Sequence, residues 1–451
     1  MSFTTRKREP QGLSPAQLVA GGFLLLILLG TSLLLLPISR SGPQSPEFMT
    51  ALFTATSAVC LTGLNVVDTA TYWSHFGQAV IILLIQVGGL GIMTLATVAS
   101  YLLVGRIGVK GRLNAAAEMR GRDLGEVKTV IMGTLGFSLA VELMIAIILT
   151  LRFYFGYGLS VGASIWEGGF HAVSAFNNAG FGLASTNLVP YVGDAAIILP
   201  IASGIIIGGL GFPVLLEMRQ RLHHRTTLPV SLTMRFTLWG TGILLALGTL
   251  GTAVFEWNGA LAHLEPGTAL MAAFFHSVSA RTAGFNSFDL SQLHDSTMMM
   301  TDMLMLIGGG SGGTAGGVKV TTIAVLVAVM IAEIRGDDLV FVAGRRIPGR
   351  IVRQAMAVLM ATALLLIFSI LTLQVLLPQF ASHQIVFECI SAFATVGLTT
   401  GITPNLPDFA QFWLVILMYA GRVGPITLVA ALAARNSKRL YRFPVERPFI
   451  G

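Results

Sequence analysis

Four short stretches of this 451-residue chain are placed to do chemistry without any reactive side chain. Ser57-Ala58-Val59-Cys60-Leu61-Thr62-Gly63-Leu64, Ser174-Ala175-Phe176-Asn177-Asn178-Ala179-Gly180-Phe181 and Ser391-Ala392-Phe393-Ala394-Thr395-Val396-Gly397-Leu398 share one frame. It reads Ser-Ala, four residues, Gly, then a large apolar residue. Ser279-Ala280-Arg281-Thr282-Ala283-Gly284-Phe285 is the same frame, one residue shorter. None contains Asp or Glu, which argues against a divalent-metal site built on carboxylates. Glycine reaches φ > 0 without a Cβ clash, so a loop can turn its carbonyl oxygens inward there. Four such loops around an axis would make rings of carbonyls that replace the hydration shell of a large monovalent cation. The candidate ligands are the backbone carbonyls of Cys60, Leu61, Thr62 and Gly63, of Asn177, Asn178, Ala179 and Gly180, of Arg281, Thr282, Ala283 and Gly284, and of Ala394, Thr395, Val396 and Gly397. The amides of Asn177 and Asn178 can either face the ion or hold the loop by hydrogen bonds.

The rest of the chain must hold these stretches together. It is 54% hydrophobic and 11% charged, against about 25% charged in soluble domains, so it cannot cover itself in water. A polytopic membrane protein follows. Arg6, Lys7 and Arg8 precede an apolar run, Leu18 to Pro37, close to the ~20 residues that span a bilayer. No Ala-x-Ala cleavage site follows it, so it reads as a first transmembrane helix and not a cleaved signal. Cys60 and Cys389 are too few for a disulfide framework and read as apolar packing residues.

Each stretch closes a short segment set between two long apolar helices. The expected segments are 17–37, 47–64 and 76–104; 127–152, 164–181 and 195–218; 231–255, 267–285 and 298–333; 351–377, 383–398 and 409–434. The middle segments are too short to cross ~30 Å of hydrocarbon. They must dip in and return, which is tolerated only around protein or a water-filled cavity. If helical, each points its negative C-terminal end at the centre and favours a cation there. The expected fold class is therefore an all-α polytopic membrane protein. It has four pseudo-symmetric membrane–pore-loop–membrane repeats, eight transmembrane helices and four re-entrant pore helices around one central pore. The repeats run over 15–105, 127–218, 231–333 and 351–435, with a cytoplasmic tail at 436–451.

Basic residues give the orientation. The termini and the three inter-unit linkers hold 23 of the 28 lysines and arginines. They are therefore expected on the cytoplasmic side, with the glycine stretches entering from outside. Spread over connectors in this way, the basic residues do not form a nucleic-acid surface. They read as topology and lipid head-group contacts.

The second helices carry further glycines: Gly88-Gly89-Leu90-Gly91, Gly208-Gly209-Leu210-Gly211 and Gly421-Arg422-Val423-Gly424. In the first two units these read as close helix packing through small residues. In the third, Gly308-Gly309-Gly310-Ser311-Gly312-Gly313-Thr314-Ala315-Gly316-Gly317 is too glycine-rich to stay helical, at ~1 kcal/mol per glycine relative to alanine. That helix should be broken in mid-membrane. Lys319 and Arg422 lie inside apolar spans, where charges are costly and usually face a cavity or a partner. For Arg422 the choices are carbonyl or ion-pair contacts within the bundle, or a positive charge below the filter that raises the barrier to cations. Lys319 either anchors the glycine loop or reaches toward the cytoplasm. Arg281 is expected to point away from the ion path. Gly308-x-Gly310-x-x-Gly313 matches the dinucleotide fingerprint but follows no strand, so it fails as a nucleotide site. His223-His224 reads as a solvated loop. An intramembrane enzyme would need a set such as His-Glu-x-x-His, which the sequence lacks.

The four single-glycine stretches, the glycine-rich interruption and Gly421-Arg422-Val423-Gly424-Pro425 together resemble the Trk/Ktr/HKT superfamily of potassium transporters, over about residues 15 to 435. The absence of an extra N-terminal helix pair makes the chain most similar to the Ktr-type membrane subunit. The resemblance implies potassium as the transported ion, with sodium as a coupling or activating ion, and no cofactor in this chain. It also implies a homodimer in the bacterial cytoplasmic membrane on a separate cytosolic ring of nucleotide-binding regulatory subunits, with Arg422 and the Gly308–Gly317 loop as the gate. A sodium transporter of the same build is the rival reading. In related plant proteins serine replaces the first filter glycine in such cases, and Gly63 argues against it.

Overall fold

The computed structural model describes residues 15–106, 124–224 and 230–424, almost all of them in helices and their connections. The termini, the basic linker residues within 107–123 and 225–229, and everything past Gly424 lie outside the described residues. With them go Pro425, the end of the expected helix 409–434 and the tail 436–451.

In chain order, α1 (Pro15–Leu34) leads to a short α2 (Phe48–Cys60) and a long α3 (His75–Arg106). Next come α4 (Leu124–Tyr157), a short α5 (Val161–Phe176), and the pair α6 (Ala195–Leu210) and α7 (Phe212–His224). After α8 (Leu232–Glu256) and the short α9 (Pro266–Ser279) come α10 (Asp295–Leu306) and α11 (Val320–Arg335). A two-residue hairpin, β1 (Phe341–Val342) with β2 (Arg345–Arg346), precedes α12 (Gly349–Leu376), the short α13 (Ser382–Ala394) and α14 (Asp408–Val423).

The helices divide by how they meet solvent. Stretches of α1, α4, α8 and α12 are long and apolar enough to cross a membrane. Their outer faces carry exposed Leu24, Leu143, Leu247, Leu364 and Phe368, which only lipid can cover favourably. The short helices are the opposite. In α2 every residue from Thr50 to Cys60 is buried. At 13 to 16 residues and 1.5 Å rise they reach about 20–24 Å, too little to span. Phe53, Phe176, Phe275, Phe387 and Phe393 are fully buried on or at the ends of these helices.

The remaining helices carry the breaks. The α10 helix stops at Leu306 and α11 resumes at Val320, so the glycine-rich run is an irregular connection. One expectation is corrected. Gly208–Gly211 does not pack inside an unbroken helix 195–218, because the chain bends by 99° between α6 and α7. Gly211 takes φ +90, and a Cβ there would lie 2.7 Å from the Ser311 carbonyl. The connection after α10 fills the corner and replaces the lost helical bonds: Gly310 N donates to Gly209 O at 2.8 Å and Phe212 N to Gly312 O at 3.3 Å. The α7 helix also runs on to His224, where a loop is expected. Gly424 ends α14 with φ +87.

Candidate functional site

All four short helices end in the same backbone turn. The residue two before each glycine is left-handed: Leu61 (φ 58), Asn178 (φ 57), Thr282 (φ 74) and Thr395 (φ 51). Each glycine is too: Gly63 (φ 87), Gly180 (φ 73), Gly284 (φ 77) and Gly397 (φ 91). The shared serine explains how the turn holds. Thr62 N donates to Ser57 O at 2.8 Å and Gly63 N to Ser57 Oγ at 3.0 Å. Val396 and Gly397 repeat this on Ser391 at 2.9 and 3.1 Å. Ala179 N reaches Ser174 O at 2.8 Å. In the shorter third stretch Ala283 N and Gly284 N both use Ser279 O, and the freed hydroxyl donates to Phe285 O. The loop N–H groups are thus tied back toward the helix ends, and the carbonyls are not drawn into that fold-back.

The four stretches close into a ring. A Cβ on Gly63 would lie 2.6 Å from Ala179 O, and one on Gly180 2.7 Å from Ala283 O. One on Gly284 would collide with Val396 O, and one on Gly397 with Thr62 O. Each glycine therefore abuts the carbonyl before the next, with no room for a side chain. The ring opens on one side into a cavity of about 470 Å³ lined by Gly63, Gly284, Gly397, Asp68, Asp289 and Thr400, among others. Hydrogen bonds from the Ser291 side chain and backbone and from Gln292 hold the Asp289 carboxyl below its ordinary range, so this mouth keeps a negative charge.

The side chains at these positions turn away from the ring. Asn177 Nδ2 lies 3.0 Å from Gln86 Oε1, 3.2 Å from Glu142 Oε1 and 2.9 Å from Val173 O. Asn178, with its amide turned to donate, reaches Ala175 O at 3.3 Å and Ile205 O at 3.1 Å. Both amides hold the loop. Arg281 is buried and directs Nη2 to Thr241 Oγ1 on α8 at 3.1 Å. Sequence reasoning missed three supports. Glu388, 2% exposed, accepts from Thr399 Oγ1 (2.5 Å), Thr400 N (3.0 Å) and Thr403 Oγ1 (2.7 Å), and so braces the loop after Gly397. Glu142 is the second. Asn187 is the third, its Nδ2 lying 3.3 Å from Gly180 O. The two glutamates were marked by the same signal as Lys319 and Arg422, a charge inside an apolar segment. Asn187 carried no such mark.

On the other side of the ring lies the connection Ile307–Lys319. Gly316 and Gly317 pack on Ala394 and Thr395, and Gly308 on the Thr282 methyl. Gly309, Gly310 and Gly313 lie against the backbone of Gly208 to Gly211, where a Cβ would collide. Ser311 Oγ is 2.6 Å from Thr321 Oγ1. Arg422 is buried and donates to Thr314 O and, at 3.0 Å, to Gly88 O. Lys319 turns back on the loop, donating to Ala315 O and, at 3.3 Å, to Gly316 O. The carbonyls of Thr314, Ala315 and Gly316 are thus held by two buried cations.

Comparison with known proteins places this geometry. The family model described as TrkH, cation transport protein, matches residues 3–440. The Ktr system potassium uptake protein B of Bacillus subtilis is 40% identical over 440 residues, covering 97% of each chain. The potassium/sodium uptake protein NtpJ of Enterococcus hirae is 37% identical over 455 residues, covering 99% of each. The crystal structure of the potassium transporter TrkH from Vibrio parahaemolyticus superposes with a TM-score of 0.73 at 17% identity, over 95% of this chain and 86% of that one, which shows the shared fold.

Proposed function

Because the chain belongs to the TrkH family of cation transport proteins, we propose that it takes up potassium through a filter made of the four glycine stretches. The observation that carries this is the closed ring in which Gly63, Gly180, Gly284 and Gly397 each abut a carbonyl of the next stretch. Such a ring offers neutral oxygens in place of water, and the C-terminal ends of α2, α5, α9 and α13 add negative potential. The filter ligands are the carbonyls of Cys60 to Gly63, Asn177 to Gly180, Arg281 to Gly284 and Ala394 to Gly397. The chain is then four pseudo-symmetric units, each giving one quarter of the pore.

Gly308 to Gly317, with Lys319 and Arg422, form the gate. The loop lies across the inner side of the ring, and the charge of Arg422 opposes a cation there. The ion is driven by the electrochemical gradient, and no cofactor is required of this chain. The membrane is the bacterial cytoplasmic membrane, with both termini inside and the 470 Å³ mouth outside. Two such chains assemble, working with a separate cytosolic nucleotide-binding subunit as the Ktr-system names of the relatives suggest. The name of the Enterococcus hirae relative favours a second reading, in which sodium enters as a coupling ion or as cargo.

The test is growth of a cell lacking its own potassium uptake, at low external potassium, with and without sodium. Expression of this chain with its regulatory subunit should restore growth. No rescue with both present overturns the potassium reading. Rescue that is equal with and without sodium removes the sodium reading.

A further inference from the structure

The second filter stretch is supported by a buried carboxylate with no cation beside it. Glu142 sits in mid-α4, 5% exposed, and no lysine, arginine or histidine pairs with it among the described residues. Its partners are amides. Gln86 Nε2, from α3, lies 3.1 Å from Oε1 and 3.2 Å from Oε2. Asn177 Nδ2 lies 3.2 Å from Oε1.

The chemistry of these groups forces a single arrangement. An ionised carboxylate only accepts, whereas a carboxamide has one donating and one accepting end. Glu142 therefore draws the nitrogen of Gln86 toward itself, which turns Gln86 Oε1 to Asn177. The Asn177 nitrogen then faces three acceptors: Gln86 Oε1, Glu142 Oε1 and Val173 O. The reversed Asn177 amide would set its oxygen against all three. Asn177 Oδ1 instead points at Gly89 on α3, where any Cβ would collide with it, and it has no partner.

The equivalent positions differ in chemistry. Three residues before their glycines stand Cys60, Arg281 and Ala394. Only Asn177 and Arg281 are polar, and Arg281 is tied back by Thr241. Without a comparable tie, Asn177 could turn its amide toward the ring and replace a backbone ligand with a side-chain one.

We infer that Glu142 is a positioning residue for ion binding: its acceptor-only carboxylate sets the orientation of the Gln86 and Asn177 amides and so keeps the second filter stretch on backbone carbonyls. This rests on the filter reading above. Glu142→Gln puts a donor where only an acceptor fits. Exchanging the two groups, as in E142Q/Q86E, restores every bond: Glu at 86 accepts from Asn177 and from the amide at 142, whose oxygen still accepts from Asn177.

The experiment measures rubidium uptake, as a potassium tracer, in cells with matched membrane levels of wild type, E142Q and E142Q/Q86E. For E142Q we expect KM raised about tenfold with maximal rate within about twofold, since ligand placement and not assembly is disturbed; tenfold corresponds to about 1.4 kcal/mol. The exchange should return KM to the wild-type value. A wild-type KM in E142Q overturns the inference, and so does a raised KM that the exchange leaves unrepaired. If E142Q fails to reach the membrane, the exchange alone decides: a wild-type KM supports the inference and an altered one overturns it. A Gly397→Ala variant run alongside separates the two readings, because transport it leaves intact would count against the filter itself.

Discussion

A methyl group at Gly397 would meet the Thr62 carbonyl, and the residue's φ of +91 is one that L side chains rarely adopt. Strain of this kind costs of order 1–3 kcal/mol, and here it falls on the atoms proposed to bind the ion. Gly397→Ala should therefore lower potassium uptake about tenfold or more at equal membrane level, with discrimination against sodium reduced, read by tracer uptake of each ion. Gly162→Ala, where nothing lies within 4 Å, should leave both unchanged. If Gly397→Ala transports like wild type, the glycine ring is not the ion's path. This part of the site was legible because the frame itself carries the mechanism: the serine ties back the turn, and the glycine permits it. What lay beyond reading was the set of distant partners. Glu388 meets Thr399, Thr400 and Thr403 through the folded turn, and Asn187 meets Gly180 O only because the loop after the ring doubles back.

The tetrapeptide Gly-Gly-Leu-Gly occurs twice and adopts two structures, which sets the limit of reading at the scale of elements. At 88–91 it continues α3 as helix, with Gly88 packed on Val59 O. At 208–211 it ends α6 and bends the chain, with Gly208 packed on Phe176 O. Local propensity is identical, so the difference comes from the partner. The connection after α10 supplies Gly310 N and Gly312 O to the bent copy, and sequence does not reveal that neighbour. The break between α10 and α11 was legible, since glycines that dense leave little helical preference. Arg422 joins that connection to α3 through Thr314 O and Gly88 O. Removing it leaves two buried carbonyls without their donor, at about 1–3 kcal/mol each, and removes a positive charge below the ring. Arg422→Ala should raise potassium flux severalfold in the absence of the regulatory subunit, and so should deletion of residues 310–313. Tracer uptake into cells lacking that subunit reads both, and flux unchanged in the two variants would sink the gate.

At the scale of the whole molecule the structure gives two unlike ends. One is the mouth holding Asp68, Asp289 and Ser291; the other is the end of α11 at Arg335 and the hairpin with Arg345 and Arg346. The excess of lysine and arginine at the second end puts it in the cytoplasm by the positive-inside rule. The chain is well suited to a test, because its two cysteines, Cys60 and Cys389, are fully buried and should stay silent toward a polar thiol reagent. Ser291 and Arg335 are both exposed. A membrane-impermeant maleimide added to intact cells should therefore label a Ser291→Cys variant and spare an Arg335→Cys variant, which should react only once the cells are opened. The mouth leads to the ring, so potassium in excess should also slow labelling at 291 relative to a bulky organic cation that cannot lose its hydration shell to carbonyls. The reverse labelling pattern would turn the molecule over. The gate would then face the outside, and a loop reached by a cytosolic regulator could not be the one under the glycine ring.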